Sequence, residues 1–427
     1  MRFVVLLSCF AAALSACGRA ANLAVPDGDE VATDVGQPMQ SDAGADAAAR
    51  EDATTVTDAS VGTPQPYRAI ALAVGRDHVC VILDDRKVKC WGFGYEGELG
   101  YGASETRGST EAEMGDALPT VDLGTGRTAV ALSANRYSTC ALLDDGSVKC
   151  WGGAGMNGYA VAHGVAPNQM GDNLPPLPLP AARKVTGVCA GMSWPMATLD
   201  DGTSVAWVDG GPTTSALGTP SPVRQISTAM YSMVILYADG TTANAYVDSV
   251  DKPTMPFGEP AVEIGGSTTD WCAVLASGRV ACSGATSDPF NELPTSGALA
   301  IDVGIGHDCA LLHDGSVRCW GSLLAGCEAA PGLSYWCAEP PSPSGSVAVR
   351  LGQPAVAIGS SGEEFACALL SDGSVKCWGG EVVCAPNADG VTTCQTPPVL
   401  GGSVETQVEN GVRASAGWYA IDLGTRP

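Results

Sequence analysis

The residues of this chain with the clearest chemical signal are its seventeen cysteines. Thiols that recur at fixed spacing can form disulfides or bind zinc, and structural zinc sites prefer ligand pairs two to four residues apart. Here the spacing is ten residues in seven pairs, so we predict disulfides: Cys80 with Cys90, Cys140 with Cys150, Cys272 with Cys282, Cys309 with Cys319, Cys327 with Cys337, Cys367 with Cys377, and Cys384 with Cys394.

A β-hairpin explains the ten-residue spacing. In the second pair, residues 144–146 (Asp-Asp-Gly) form a three-residue loop with glycine where the backbone needs positive φ. Pairing outward from this loop places Cys140 opposite Cys150 on neighbouring strands. Directly opposed residues lie about 4.5 to 5.5 Å apart at Cα, which a disulfide accepts. Arg86 occupies the glycine position of the first hairpin, so we expect strain in that turn.

Two degenerate hairpins test this interpretation. The positions five residues before and after Asp201, and likewise around Asp239, all lack cysteine. Cysteines are therefore present or absent in pairs, as cross-strand disulfides require. Of the remaining cysteines, Cys9 lies in a leader segment, and we interpret Cys189 as an unpaired, buried small hydrophobic residue.

The N-terminus indicates export. Arg2 precedes an apolar run, and the residues Leu-Ser-Ala-Cys-Gly at 14–18 resemble the bacterial lipobox. That resemblance implies a signal peptide at 1–16 and a lipid-modified Cys17, so that the protein is anchored to the outer membrane or cell surface of the envelope. The alternative is an ordinary cleaved signal with an incidental Cys17. Both place the chain in an oxidising compartment, where disulfides persist.

Residues 17–66 differ in composition from the rest. They are rich in Ala, Asp, Thr and Pro and have little to bury, so we predict a lipidated, disordered acidic linker. The whole chain has a formal net charge of −24. This charge argues against nucleic acid as a partner, since phosphate binding needs a basic surface, and leaves the lipid anchor as the membrane contact.

The cysteine hairpins belong to a longer internal repeat. Seven units begin at Cys80, Cys140, Met196, Val234, Cys272, Cys309 and Cys367. β-rich units with this period are typical of propeller blades. We therefore predict an all-β fold, a seven-bladed β-propeller over residues 67–424, preceded by the disordered tether. A C-terminal segment from Val412 resembles one more first strand of a repeat. It should pair into the blade that begins near Tyr67 and close the ring.

These units resemble the regulator of chromosome condensation repeat family of seven-bladed propellers. The best match is the segment 91–102, WGFGYEGELGYG, in which Glu98 replaces the usual glutamine, and the Cys-Trp-Gly junction recurs at Cys150, Cys319 and Cys377. The resemblance is specific for the fold and poor for function. Nuclear family members exchange nucleotide on a small GTPase, a target that an exported lipoprotein would not meet.

The sequence offers no catalytic constellation. His78 and His307 occupy the same place in their repeats, two residues before the first cysteine, so we assign them a packing role. His163 and His313 lie in loops without partners at ligand spacing. We find no hydrolase triad, phosphate-binding loop or dinucleotide fingerprint. We therefore expect no enzyme activity, no cofactor and no metal.

Function is instead predicted from loop lengths. Units six, seven, one and two are consecutive in a ring and carry long insertions at 322–348, 380–402, 101–121 and 153–182. Such insertions often gather on the binding face. We predict a monomeric binding or scaffold propeller with a protein or glycan partner, with Tyr335 and Trp336 as anchor candidates. An enzyme with a site in the central channel and an inhibitor of extracellular enzymes are the alternatives.

Overall fold

The computed structural model describes a ring of small β-sheets. The residues it describes are 18–19, 65–180, 183–191, 194–208, 211–213, 221–228, 233–246, 249–250, 254–266, 271–282, 297–304, 307–321, 347–349, 351–360, 365–379, 383–386, 392–395, 402–405, 408–409, 412–413 and 418–426. Within these ranges the helices are short 3₁₀ turns: Glu111–Glu113, Gly115–Ala117 and Gly171–Asn173.

Each of the seven repeats folds into one blade of three antiparallel strands, which we call inner, middle and outer in chain order. Their bounds are Ala69–Val74, His78–Leu83 and Val88–Gly92 in blade 1; Ala129–Ala134, Ser138–Leu143 and Val148–Gly152 in blade 2; Val185–Cys189, Met196–Leu199 and Ser204–Val208 in blade 3; Val223–Thr228, Met233–Tyr237 and Thr242–Tyr246 in blade 4; Ala261–Gly266, Trp271–Leu275 and Val280–Cys282 in blade 5; Ala298–Val303, His307–Leu312 and Val317–Gly321 in blade 6; and Ala355–Ser360, Phe365–Leu370 and Val375–Gly379 in blade 7.

The inner strands close the ring. Each inner strand contacts the inner strands of both neighbouring blades, and that of blade 7 contacts that of blade 1. The predicted seven-bladed propeller is thereby confirmed. In every blade the inner strand also has a register shift near its start, for example between Ala69 and Ala71 in blade 1. Such β-bulges bend and twist a strand.

The hydrophobic core is divided among the blade boundaries. Seven clusters of buried apolar side chains each lie between two adjacent blades. Trp91, Trp151 and Trp207 are fully buried in these clusters and pack between adjacent blades. Burial of apolar surface between successive blades is what holds a ring of small sheets together.

Several short strands extend the blades or stand apart. Additional strands join blade 3 (Gly211–Thr213), blade 4 (Ser249–Val250), blade 6 (Val347–Val349) and blade 7 (Trp418–Ile421, followed by Gly402–Glu405), while Val383–Pro386 pairs with Thr392–Gln395 and Val408–Glu409 pairs with Val412–Arg413. Gly18–Arg19 pairs with the inner strand of blade 3. That part of the predicted disordered linker is therefore a strand, because the inner edge offers backbone groups to pair with.

The C-terminal closure differs in part from the prediction. Trp418–Ile421 does not act as a first strand but pairs with the outer strand of blade 7, with Tyr419 opposite Cys377. The residues that follow reach blade 1, since the Tyr67 N–H donates to the Gly424 carbonyl at 2.8 Å. The ring is thus fastened near Tyr67 as expected. The strand itself joins blade 7 because that outer edge is open to pairing.

Candidate binding face

Five of the seven predicted cysteine pairs lie at disulfide distance, with Cα atoms 3.9 to 4.1 Å apart. In blade 2 the Leu143 N–H donates to the Ser147 carbonyl at 2.9 Å. Counting outward from that bonded pair makes Cys140 and Cys150 a non-hydrogen-bonded pair, where antiparallel strands come closest. These pairs indicate an oxidising, extracellular environment.

The two other predicted pairs are only partly described. Cys384 and Cys394 are register partners in their two-stranded sheet, as the hairpin count predicts. Cys327 and Cys337 lie outside the described residues, as do Cys17, Tyr335 and Trp336.

The prediction for Cys189 is wrong. Cys189 is buried in the core between blades 3 and 4, as expected, but it is disulfide-bonded rather than free. Burial does not protect a thiol from oxidation when a second thiol reaches it in an oxidising compartment.

The repeat-locked histidines are buried at blade boundaries. His78 is fully buried, and its Nε2 lies 2.8 Å from the Thr139 hydroxyl of blade 2. Burial lowers the pKa of His78 to about 3 and that of His307 to about 4. Both rings are therefore neutral at physiological pH, and their position inside the core supports the assigned packing role.

The outer strands of blades 1 and 2 are capped by the loops that follow them. Tyr101 returns to the middle of its own outer strand, where its hydroxyl accepts the Cys90 N–H at 2.9 Å and donates to the Cys90 carbonyl at 2.8 Å. One side chain thus satisfies both backbone groups that a fourth strand would otherwise bond. This protects the edge of blade 1 from pairing with other chains.

In each of these two blades a buried lysine on the outer strand bonds the loop of its own blade to the segment that arrives from the preceding blade. We call each of these lysines, with its two carbonyl partners, a latch. Lys149 is buried, and its Nζ donates to the carbonyls of Leu123 at 3.0 Å and Gly171 at 2.8 Å. Lys89 repeats this arrangement, donating to Gly115 at 2.7 Å and Leu423 at 2.9 Å. Burial lowers the pKa of both amines, against the attraction of nearby aspartates. The second latch includes the C-terminus, so the same device that links blades 1 and 2 closes the ring.

Contacts between the two loops hold them as one surface. The Ala103 N–H donates to the Gly164 carbonyl at 3.0 Å. A Cβ on Gly97, which has φ +86°, would lie 2.5 Å from the His163 carbonyl oxygen. The close approach therefore requires glycine at this position. The predicted insertions of blades 1 and 2 are adjacent in space, whereas 322–346 and most of 380–402 lie outside the described residues.

Two large apolar side chains project from this joint surface. Tyr95 is 62% exposed and Val161 is 59% exposed. The Tyr95 ring lies 5.6 Å from that of Phe93. Glu96 and Glu105 are exposed on the same loop as Tyr95. We call Tyr95, Glu96, Glu105 and Val161 the blade 1–2 face.

Glu98 lies beneath this face and anchors it. Its side chain is 3% exposed, and its Oε2 accepts the Glu96 N–H at 2.8 Å. Its backbone carbonyl accepts the Thr139 hydroxyl and the Trp151 indole N–H of blade 2, both at 2.9 Å. Burial, aided by the negative charges of Glu96 and Asp77, raises the pKa of Glu98 to about 7.

Two exposed residues of this face, Tyr95 and Glu96, were not predicted from the sequence. Tyr95 and Glu96 stand inside the segment 91–102 that carries the family resemblance, yet nothing in the spacing distinguishes their outward side chains from buried Leu99. The sequence contained a weak indication of the latches, because the segment Asp-Leu-Gly-Thr occurs at both 122–125 and 422–425 and supplies Leu123 and Leu423.

The described ranges contain no group of three or more His, Cys, Asp and Glu residues that could hold a metal ion. They also contain no helix that is long and apolar enough to cross a membrane.

Comparisons with known proteins agree with this architecture. The family model of the regulator of chromosome condensation (RCC1) repeat matches residues 69–98, 129–159 and 356–382, in blades 1, 2 and 7. A search among curated proteins found no match.

Two solved structures are similar at low sequence identity. One is Prp20p from Saccharomyces cerevisiae, reported with its binding properties to Gsp1p and histones: 15% identity, 69% of this chain, 80% of that chain and a TM-score of 0.50. The other is human WBSCR16: 16% identity, 70% of this chain, 86% of that chain and a TM-score of 0.51. Together with the seven blades, these matches show that the chain contains RCC1 repeats and has the fold of an RCC1-like propeller.

Proposed function

We propose that this chain is an exported, lipid-anchored propeller that binds a protein partner through the loops on one end of its ring. The lipid-modified Cys17 would hold the propeller on the envelope, and the RCC1-like fold is generally a protein-binding scaffold. The oxidising environment indicated by the cysteine pairs supports export.

The single observation that carries the proposal is the blade 1–2 face. Its loops are bonded to each other and to the blades below, and they expose an aromatic ring and a branched apolar side chain. Exposed aromatics on a preorganised surface are the residues that dominate binding energy at protein interfaces, since little ordering is needed on association. The insertion at 380–402, which follows blade 7, and that at 322–348, which follows blade 6, would extend the face over those two blades.

Affinity capture from the native envelope and culture medium tests the proposal. The wild-type chain and a Tyr95→Ser variant are compared, with Met255→Ser as the matched control because Met255 is 46% exposed on the segment that follows blade 4. We expect a partner retained by wild type and Met255→Ser and lost by Tyr95→Ser. Deletion of residues 325–338 tests Tyr335 and Trp336 in the same assay. Equal capture by all variants would contradict the assigned face.

A further inference from the structure

We propose that the blade 1–2 face recognises a protein segment rich in lysine and arginine that also carries an apolar side chain. This inference rests on the proposed binding function and names the chemistry of its partner.

The apolar part of the recognition comes from the two adjacent loops. The described residues contain three exposed large hydrophobic side chains, and two of them, Tyr95 and Val161, belong to this face. Each is two residues from the point where the loops meet, at Gly97 and His163. Single exposed apolar residues on unrelated loops would need no explanation. Here the two lie on loops that contact each other, so the joint surface offers two apolar positions to one partner.

The charge of the face selects the partner. On the loop that follows blade 1, Glu96, Glu105 and Glu113 are exposed, and the loop contains one arginine, Arg107. Asp116 and Asp172 belong to the latches instead, because each interacts with a buried lysine, Lys89 or Lys149. Arg107 is engaged by Glu105 at 3.5 Å. The negative charge of Glu96 also contributes to the raised pKa of buried Glu98. The surface around Tyr95 therefore has a negative potential that attracts cationic side chains and repels anionic ones.

The linker of the chain itself does not fit as the occupant. Residues 18–66 contain nine acidic residues against Arg19 and Arg50. Like charges would keep this segment away from the blade 1–2 face. A nucleic acid or an anionic lipid surface is disfavoured for the same reason. A cationic polypeptide satisfies both the charge and the exposed aromatic ring, since lysine and arginine also bind over aromatic faces.

Selection from displayed random dodecapeptides tests the partner chemistry with the full chain as bait. We expect enrichment of peptides with net positive charge and at least one aromatic or large aliphatic residue. Their affinity should fall about tenfold or more in Tyr95→Ser and in Glu96→Lys, and should weaken as salt screens the attraction. Met255→Ser and Asp200→Lys are the matched controls, because Asp200 is exposed in the hairpin turn of blade 3, at the end of the blade away from the loops.

The outcomes separate this inference from the proposed function. Enrichment of neutral or acidic peptides, no enrichment, or equal loss in Met255→Ser and Asp200→Lys would overturn the basic-partner assignment. If the envelope capture still depends on Tyr95, the binding function stands and only its charge selectivity is wrong. If the capture also fails to depend on Tyr95, the proposed function fails with it.

Discussion

Replacement of Glu98 by glutamine should make the propeller more stable at neutral and alkaline pH and leave it unchanged in mild acid. Glu98 is 3% exposed, and this burial raises the pKa of its carboxyl group from 4.5 to about 7. A buried carboxyl group with a raised pKa binds its proton more tightly in the folded state than in the unfolded one. Ionisation of Glu98 therefore opposes folding as pH rises from its unfolded pKa through its folded pKa.

The expected magnitude follows from the two pKa values. At about 1.4 kcal/mol for each pH unit between 4.5 and about 7, the destabilisation by ionised Glu98 reaches about 3 kcal/mol above pH 7. Glutamine keeps an oxygen that can accept the Glu96 N–H and carries no charge. The difference in unfolding free energy between Glu98→Gln and wild type should therefore be near zero at about pH 4.5 and about 3 kcal/mol at about pH 8.

Urea denaturation of both proteins across this pH range measures the difference. Asp200→Asn is the matched control: it removes one carboxylate charge from an exposed side chain in the hairpin turn of blade 3, so its effect on stability should stay within about 0.5 kcal/mol. A stability difference between Glu98→Gln and wild type that does not change with pH would refute the reasoning. The same result would follow if Glu98 were solvated rather than buried.

Three further predictions concern other parts of the ring. Asp302→Asn, at the boundary of blades 6 and 7, should also raise the unfolding free energy as pH rises, because burial raises the Asp302 pKa from 3.8 to about 7 although its Oδ2 accepts the Ser360 N–H. The gain should approach about 4 kcal/mol above pH 7. Parallel curves of stability against pH for the variant and wild type would contradict this prediction. Arg86→Gly should raise the unfolding free energy by about 1 kcal/mol because Arg86 has φ 66°, which glycine adopts without strain. Gly146→Ala, at φ +83° with open space around it, should lower the unfolding free energy by a similar amount. Thermal unfolding measures both changes, and a change of the same sign in the two variants would be inconsistent with a purely conformational origin. Tyr101→Phe should lower the unfolding free energy by about 1 to 3 kcal/mol by leaving both Cys90 backbone groups unpaired. The control Tyr95→Phe, at an exposed ring, should have no measurable effect. Hydrogen exchange at the Cys90 amide should become faster in Tyr101→Phe, and unchanged exchange would argue against the capping role of Tyr101.

The sequence by itself determined the local architecture of this protein. The hairpin count from Asp-Asp-Gly predicted that Cys140 would oppose Cys150, and the strand register agrees. It also identified Arg86 as the strained residue of its turn, and Arg86 has φ 66°. These features could be read in advance because turn chemistry and the two-residue period of a strand act over about ten residues of chain.

Only the tertiary structure decided which distant residues meet. Lys89 bonds Leu423 at a separation of 334 residues, Trp418–Ile421 joins blade 7, and Cys189 is disulfide-bonded. The outward direction of Tyr95 and the burial of Glu98 likewise depend on how the loops of two blades contact each other. Local patterns cannot encode these outcomes, because each depends on the packing of a neighbouring blade and on the closure of the ring.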